Sequence, residues 1–153
     1  MIRIMFVCYG NICRSPMAEF LLKDLLSKTD RADDFYIASS ATSSEELGNP
    51  VYYKTAEILD KFNIDYSKKR AVRLTQADYD KYDYFIGMDS ENVRNMNRLF
   101  NGDKLGKVSR LMSFAGLNQD VSDPWWTRDF EKCYDDIYKG LQGLLNNLLA
   151  KNN

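Results

Sequence analysis

A cysteine and an arginine stand close together in the segment "VCYGNICRSP", residues 7–16. Cys8 ends an apolar run, and Arg14 follows it after five intervening residues. A thiolate is a strong nucleophile, and a guanidinium offers a planar fork of N–H donors that fits two oxygens of a phosphate. An isolated cysteine is most often a small buried core residue. The combination with Arg14 instead predicts a nucleophilic thiol beneath a bound phosphate.

The residues on either side of this segment predict a strand followed by a helix. Residues 2–7 form a short apolar run that is typical of a buried strand. Over residues 17–28 apolar side chains recur at helical spacing, so Ser15 is expected to cap a helix and Pro16 to occupy its first position. Cys8 should then lie at the carboxyl end of the strand, facing the start of the helix.

A loop in that position can bind a tetrahedral oxyanion. Gly10 and Asn11 are residue types that adopt positive φ, which lets successive backbone N–H groups point inward. The free N–H groups and the dipole of the following helix place about half a positive charge at the same point. These surroundings also stabilise a thiolate, and the Ser15 hydroxyl is placed to donate to the sulfur of Cys8. An ionised nucleophile is therefore expected although the chain has no histidine.

The rest of the chain alternates between strand and helix patterns. Three further strands are predicted over residues 35–41, 82–88 and 106–112, and three further helices over residues 51–62, 89–99 and 127–149. This alternation predicts a parallel sheet covered by helices on both faces, with ligands bound at the carboxyl ends of the strands. We expect one α/β domain over residues 1–153, because that length suits a single core.

Composition excludes several classes of function. The net charge of −1 argues against a general nucleic-acid-binding protein, whose affinity depends on a basic face. The apolar run near the N-terminus is too short for a signal peptide core or a membrane span. Three cysteines form an odd set that does not suggest a disulfide framework. We therefore expect a cytoplasmic protein that binds neither nucleic acid nor membrane.

The segment 7–16 resembles the signature of the low-molecular-weight protein tyrosine phosphatases. Those enzymes carry an Asp-Pro-aromatic loop late in the chain, and "SDPWW" at residues 122–126 is similar to it. Further similarity lies in residues 39–50, in residues 82–92 and in overall length, so the resemblance covers essentially the whole chain. It implies a four-stranded parallel sheet flanked by helices on both faces, with a phosphate loop between the first strand and the first helix.

The resemblance also implies a role for individual residues. Cys8 is expected to be the nucleophile, Arg14 to clamp the transferred phosphoryl group, and Asp123 to protonate the leaving phenolate. The residues of the loop expected to bind the phosphate are Tyr9, Gly10, Asn11, Ile12, Cys13, Arg14 and Ser15. The polar residues expected to support that loop are Asn11, Ser15, Ser39 and Asp89.

Aromatic residues in the two loops suggest the substrate. Tyr9, Trp125 and Trp126 are expected to form the pocket wall around a phenyl ring and to favour phosphotyrosine over phosphoserine. Protein arginine phosphatases resemble this sequence closely and remain the alternative. They carry threonine where Ile12 stands, and the apolar Ile12 favours phosphotyrosine. An arsenate reductase on the same scaffold needs further cysteines, and residues 75–95 contain none. A binding module without activity is disfavoured, because nucleophile, clamp and acid are all present.

The implied reaction is hydrolysis of phosphotyrosine monoesters through a cysteinyl-phosphate intermediate, without metal or cofactor. We expect a monomer that acts on phosphotyrosine-containing proteins and releases inorganic phosphate. Cys13 lies in the same loop as Cys8, and the two are expected to form a reversible disulfide under peroxide, whereas Cys133 is expected to be inert. Lys69 stands near the position where the family usually carries a loop-supporting histidine, so the support must close differently here.

Overall fold

The computed structural model describes residues 1–151. Its four strands are β1 (Ile2–Cys8), β2 (Phe35–Ala41), β3 (Tyr84–Gly87) and β4 (Val108–Arg110). Its α-helices are α1 (Arg14–Ser27), α2 (Tyr53–Asp60), α3 (Ser90–Leu99), α4 (Pro124–Thr127) and α5 (Phe130–Lys151). Short 3₁₀ turns cover Ala32–Asp34, Gln76–Asp80 and Leu111–Ala115. No helix within these residues is long and apolar enough to cross a membrane.

The four strands form one parallel sheet in the order β2-β1-β3-β4. Ile4 and Phe6 of β1 belong to the core shared with α1 and α5, while Met5 and Val7 belong to a second cluster with residues of α3. Because both faces of β1 are covered, the strand is a continuous apolar run and not an alternating one. The predicted α/β fold, with a parallel sheet flanked by helices on both faces, is confirmed.

The strand order brings a crevice to the end of β1. The chain passes from β1 to β2 on one side and later to β3 on the other side, so the connections leave β1 in opposite directions. Such a switch point opens a ligand crevice beyond the carboxyl ends of the strands. Cys8 is the last residue of β1 and therefore lies in this crevice.

The start of α1 differs from the prediction. The helix begins at Arg14, and Cys13 occupies the capping position without a side-chain capping hydrogen bond. Ser15 is thus inside the first turn, and its hydroxyl contacts the side chains of Cys8 and Asn11 instead of the free backbone N–H groups. The prediction that Ser15 caps the helix and Pro16 opens it is wrong, because those tertiary partners compete for the hydroxyl.

The final helix predicted over residues 127–149 corresponds to α5, which begins at Phe130, and the short α4 that precedes it was not predicted. Arg128 adopts a left-handed conformation with φ of 61°, which ends α4 before α5 begins at Phe130. The predicted fourth strand over residues 106–112 is shorter, and only Val108–Arg110 pair with β3. The break at Arg128 thus separates the short α4 turn from α5.

Candidate active site

A cavity of about 510 Å³ opens at the carboxyl end of β1. Its lining includes residues 8–14 and, from the chain near α4, Asp123, Trp125 and Trp126. It also includes three carboxylates that belong to Glu45, Glu46 and Glu91. A larger groove of about 680 Å³ follows the outer edge of β2, but it contains none of residues 8–14. The smaller cavity is therefore the candidate site.

The loop after β1 wraps around the sulfur of Cys8, which is almost wholly buried. Asn11 has a φ of 63°, as predicted, and its backbone N–H donates to Cys8 Sγ over 3.3 Å. Gly10, the other residue able to adopt a positive φ, does not do so. Gly10 instead allows the side chain of Glu46 to lie close to the loop, since a Cβ at residue 10 would be only 3.3 Å from Cγ of Glu46.

The side chain of Asn11 sets the direction of the hydrogen bonds beneath the loop. Its Oδ1 accepts the backbone N–H of Val72 over 3.1 Å, which fixes the orientation of the amide. Its Nδ2 can therefore donate to Ser15 Oγ over 2.7 Å and to Ser39 Oγ over 3.0 Å. Ser15 Oγ lies 3.0 Å from Cys8 Sγ, and because it already accepts from Asn11 its own proton is free for the sulfur. The Ser15 hydroxyl and the Asn11 backbone N–H thus both face the Cys8 sulfur.

A buried ion pair closes the network on the side away from the cavity. Ser39 Oγ donates to Glu19 Oε1 over 2.6 Å, and Lys23 Nζ lies 2.6 Å from Glu19 Oε2. Lys69 Nζ donates to the carbonyl oxygen of Ser39 over 2.9 Å and lies 3.9 Å from Glu19 Oε1. Burial lowers the pKa of Lys69, and the attraction of Glu19 opposes that effect. Lys69 and Glu19 thus complete the support of the loop.

Sequence analysis missed Glu19. It lies in α1 among apolar residues at helical spacing, and its side chain is buried. A carboxylate on the buried side of a helix needs a buried partner, so the interruption of the apolar pattern was an available signal. That signal does not identify the partner, because Ser39 and Lys69 lie in distant parts of the chain.

Arg14 is buried and held by three groups from other segments. Its Nη2 donates to Asp89 Oδ2 over 2.9 Å and lies 3.6 Å from Asp123 Oδ2, while its Nη1 donates to the Val121 carbonyl over 3.2 Å. Burial acts to lower the pKa of Arg14, but the negative charges of Cys8, Asp89 and Asp123 outweigh it and raise that pKa. The guanidinium is therefore a permanent cation at the floor of the cavity.

Asp89 has a different place from the one expected. It caps α3 by accepting the backbone N–H of Asn92 over 2.8 Å, and its other oxygen holds Arg14. Within residues 1–151 no hydrogen bond joins it to Asn11, Ser15 or Ser39. Asp89 is the cap of α3, and this position faces Arg14. Asp89 therefore orients the guanidinium and takes no part in the polar network of Asn11, Ser15 and Ser39.

Asp123 caps α4 and faces the cavity with the same carboxylate. Its Oδ1 accepts the backbone N–H of Trp125 over 3.0 Å, while Oδ2 is the oxygen near Arg14. Pro124 occupies the first position of the turn, where its missing N–H has no cost. The side chain of Asp123 is 29% exposed, so a group bound in the cavity can reach it.

The three predicted aromatic wall residues line the cavity, in different surroundings. The hydroxyl of Tyr9 donates to Glu45 Oε1 over 2.7 Å, and this bond raises the pKa of Tyr9. The ring of Trp125 lies 4.6 Å from that of Tyr52. Trp126 is 86% exposed, so its ring is free to contact a ligand and does not anchor the final helix.

The remaining loop residues pack beneath the cavity. Ile12 and Cys13 form a small buried cluster with Ala71, against which Tyr52 and Phe130 pack. Burial raises the pKa of Cys13, and the charge of Cys8 adds to that effect, so the Cys13 thiol stays neutral. Cys8, Cys13 and Cys133 are free thiols. Of the predicted site residues, Ser15 and Ser39 lie below the cavity and not on its surface.

Comparison with known proteins gives one family. The sequence model described as low molecular weight phosphotyrosine protein phosphatase matches residues 3–153. The low molecular weight protein-tyrosine-phosphatase YfkJ of Bacillus subtilis is 34% identical over 147 residues, which cover 95% of this chain and 94% of YfkJ. The low molecular weight protein-tyrosine-phosphatase PtpA of Staphylococcus aureus is 35% identical over 154 residues, covering 100% of this chain and 97% of PtpA.

Solved structures agree with these relatives. The crystal structure of YfkJ from Bacillus subtilis matches with a TM-score of 0.94 at 33% identity, covering 100% of this chain and 98% of that one. The crystal structure of SP-PTP, a low molecular weight protein tyrosine phosphatase from Streptococcus pyogenes, matches with a TM-score of 0.86 at 41% identity, covering 97% and 93%. The resemblance inferred from the two motifs is thus confirmed.

The support by Lys69 leads to a first prediction. Lys69→Met removes the donor to the Ser39 carbonyl and a positive charge beside Glu19, so the free energy of unfolding should fall by about 1–3 kcal/mol. The matched control is Lys68→Met, an exposed neighbour, which should change it by less than about 0.5 kcal/mol. Urea unfolding at pH 7 measures both. Equal effects of the two substitutions would contradict the role of Lys69.

Proposed function

The chain belongs to the low molecular weight phosphotyrosine protein phosphatase family, and we propose that it hydrolyses phosphotyrosine in proteins through a cysteinyl-phosphate intermediate. One observation carries the mechanism: a buried sulfur, a buried guanidinium and a reachable carboxylate share one cavity. These are the side chains of Cys8, Arg14 and Asp123. The last two are 3.6 Å apart, so a phosphoryl group on the guanidinium is within reach of the acid.

The first step transfers the phosphoryl group to the enzyme. The Cys8 thiolate attacks phosphorus in line and forms a P–S bond, while the bond from phosphorus to the tyrosyl oxygen breaks. Asp123, protonated at this stage, gives its proton to that oxygen, so tyrosine leaves as a neutral phenol. Asp123 lines the same cavity as Cys8 and its side chain is 29% exposed, which supports its proposed role as the proton donor.

The second step releases phosphate. Asp123, now a carboxylate, takes a proton from water as the water oxygen attacks phosphorus, and the P–S bond breaks. Cys8 leaves as a thiolate, stabilised by the Asn11 N–H and the Ser15 hydroxyl. Inorganic phosphate is the product. Throughout both steps Arg14 and the loop N–H groups stabilise the charge on the three other oxygens, which is the larger electrostatic contribution.

The form of the cavity supports an aryl phosphate as substrate. Tyr9 and Trp125 lie on its wall, and Trp126 offers a free ring at its edge. A phenyl ring between aromatic side chains gains contact area that the shorter phosphoserine lacks. Ile12 supplies no hydroxyl of the kind that the resemblance associates with arginine phosphatases. Phosphotyrosine is therefore the proposed substrate, with phosphoarginine as the alternative.

A test of the mechanism uses two leaving groups. Cys8→Ser should abolish turnover of p-nitrophenyl phosphate, because the hydroxyl is not ionised. Asp123→Ala should lower kcat/KM for a phosphotyrosine peptide by roughly 10²–10⁴-fold, and for p-nitrophenyl phosphate far less, because nitrophenolate leaves without a proton. Asp135→Ala, an exposed carboxylate on α5, is the matched control. Turnover that survives Cys8→Ser would exclude the proposed nucleophile.

A test of the substrate compares three phosphopeptides of one sequence, carrying phosphotyrosine, phosphoserine or phosphoarginine. Neutral flanking residues keep the carboxylates of Glu45, Glu46 and Glu91 from influencing the result. We expect kcat/KM to be highest for phosphotyrosine and lower by at least about tenfold for the other two, since neither offers an aromatic ring. A faster reaction with phosphoarginine would establish the alternative function.

We also propose that Cys13 protects Cys8 during oxidation. Peroxide converts the Cys8 thiolate to a sulfenic acid, and the Cys13 sulfur then displaces water to form a disulfide, which a dithiol reduces. The raised pKa of Cys13 supports this order, because a neutral thiol reacts slowly with peroxide. We also propose that the enzyme acts in the cytoplasm, where free thiols such as its own stay reduced.

Recovery after peroxide tests this role. Wild-type enzyme inactivated by peroxide should regain most of its activity with dithiothreitol, because the disulfide stops oxidation at a reversible stage. Cys13→Ser should regain little, because Cys8 continues to sulfinic acid. Cys133→Ser should recover as the wild type does. Equal recovery of wild type and Cys13→Ser would disprove the protection.

A further inference from the structure

The short α4 turn, which carries Asp123 at its start, contacts an aromatic ring outside it, in addition to its buried Pro124. The ring centroids of Trp125 in α4 and Tyr52 lie 4.6 Å apart, with the planes inclined by 56°. Among residues 1–151 the backbone hydrogen bonds within the turn are internal to it, linking residues 123–129 with one another. The position of the turn therefore depends on side-chain contacts more than on its own backbone.

Tyr52 is attached to the phosphate loop at its other end. Its backbone N–H donates to the carbonyl of Ile12 over 2.9 Å, and Ile12 is a residue of the loop around Cys8. The ring of Tyr52 also stacks on that of Phe130 at 5.8 Å, at the start of α5. The ring is thus held on both sides and cannot shift freely when α4 moves.

These contacts form a continuous path between the two parts of the site. It runs from Ile12 in the phosphate loop to Tyr52, from the Tyr52 ring to Trp125, and from the Trp125 N–H to Asp123 Oδ1 over 3.0 Å. Just before Asp123 in the chain, the Val121 carbonyl accepts a hydrogen bond from Arg14, and the Ser122 backbone N–H donates one to Asp136. The path through Tyr52 is a side-chain connection that approaches Asp123 from α4.

We propose that Tyr52 is a positioning residue that sets the distance and angle between the acid Asp123 and the nucleophile Cys8. The inference rests on the proposed function, in which Asp123 protonates the leaving oxygen. Without the Tyr52 ring, Trp125 loses its support and the N–H that orients Asp123 Oδ1 moves with it. The hydrogen bonds from Asn11 and Ser15 to Cys8 do not involve the Tyr52 ring, so proton transfer is impaired more than nucleophilic attack.

Substrates with different leaving groups separate an effect on proton transfer from an effect on nucleophilic attack. Tyr52→Ala should lower kcat/KM for phenyl phosphate by roughly 10- to 100-fold, since a small displacement of a catalytic group has that effect. For 2,4-dinitrophenyl phosphate, whose leaving group needs no proton, the loss should stay below about threefold. Tyr52→Phe keeps the ring and should restore wild-type values with both substrates. Tyr52→Leu keeps apolar bulk without the ring and should behave as Tyr52→Ala does.

Two further measurements fix the interpretation. Tyr138→Ala removes an exposed ring that stacks on Tyr134 in α5, and it should leave both substrates unaffected. In an Asp123→Ala background, Tyr52→Ala should cause no further loss with phenyl phosphate, because the two residues act in one step.

Equal losses with both substrates in Tyr52→Ala and Tyr52→Leu would overturn the inference, as would no loss or an additive effect on Asp123→Ala. If Asp123→Ala itself shows no dependence on the leaving group, the proposed acid is wrong and the inference fails with it. A normal Asp123→Ala result combined with a uniform effect at Tyr52 refutes only the positioning role.

Discussion

The side-chain amide of Asn11 determines the direction of the hydroxyl hydrogen bonds of Ser15 and Ser39 beneath the loop that follows β1. Its oxygen accepts the Val72 N–H, so its two N–H groups must face Ser15 and Ser39. Each serine then has one direction left for its own proton, toward the Cys8 sulfur in the first case and toward the buried Glu19 carboxylate in the second. A donor is thereby held at the sulfur of Cys8, the proposed nucleophile, without any bound ligand. The network ends in a charge, which must itself be compensated.

The buried cation Arg14 organises the upper part of the site in a similar way. A guanidinium away from water requires acceptors, and it finds them in Asp89, Asp123 and the Val121 carbonyl, which belong to different segments. Its position is therefore fixed by the fold and not by a ligand. A phosphoryl group that binds there meets a preformed field, so little reorganisation remains for the transition state.

Local sequence predicted the residues of the site better than their contacts. The spacing of Cys8 and Arg14, and the family resemblance that indicated Asp123, led to side chains that share one cavity. The capping role of Ser15 was wrong, because tertiary partners decide where a hydroxyl points. Tyr52 was not identified either, because an aromatic residue before a helix is common and its ring partner lies in a distant loop.

The sequence by itself determined the strand, the loop and the helix that hold Cys8, because neighbouring residues in one short segment establish that geometry through backbone preference and apolar spacing. The strand order β2-β1-β3-β4 decided the rest. It brings Lys69 to Ser39 and Asp123 to Arg14, contacts that depend on positions accurate to a fraction of an ångström between remote segments. No local pattern encodes such a distance, since it results from how the whole core packs.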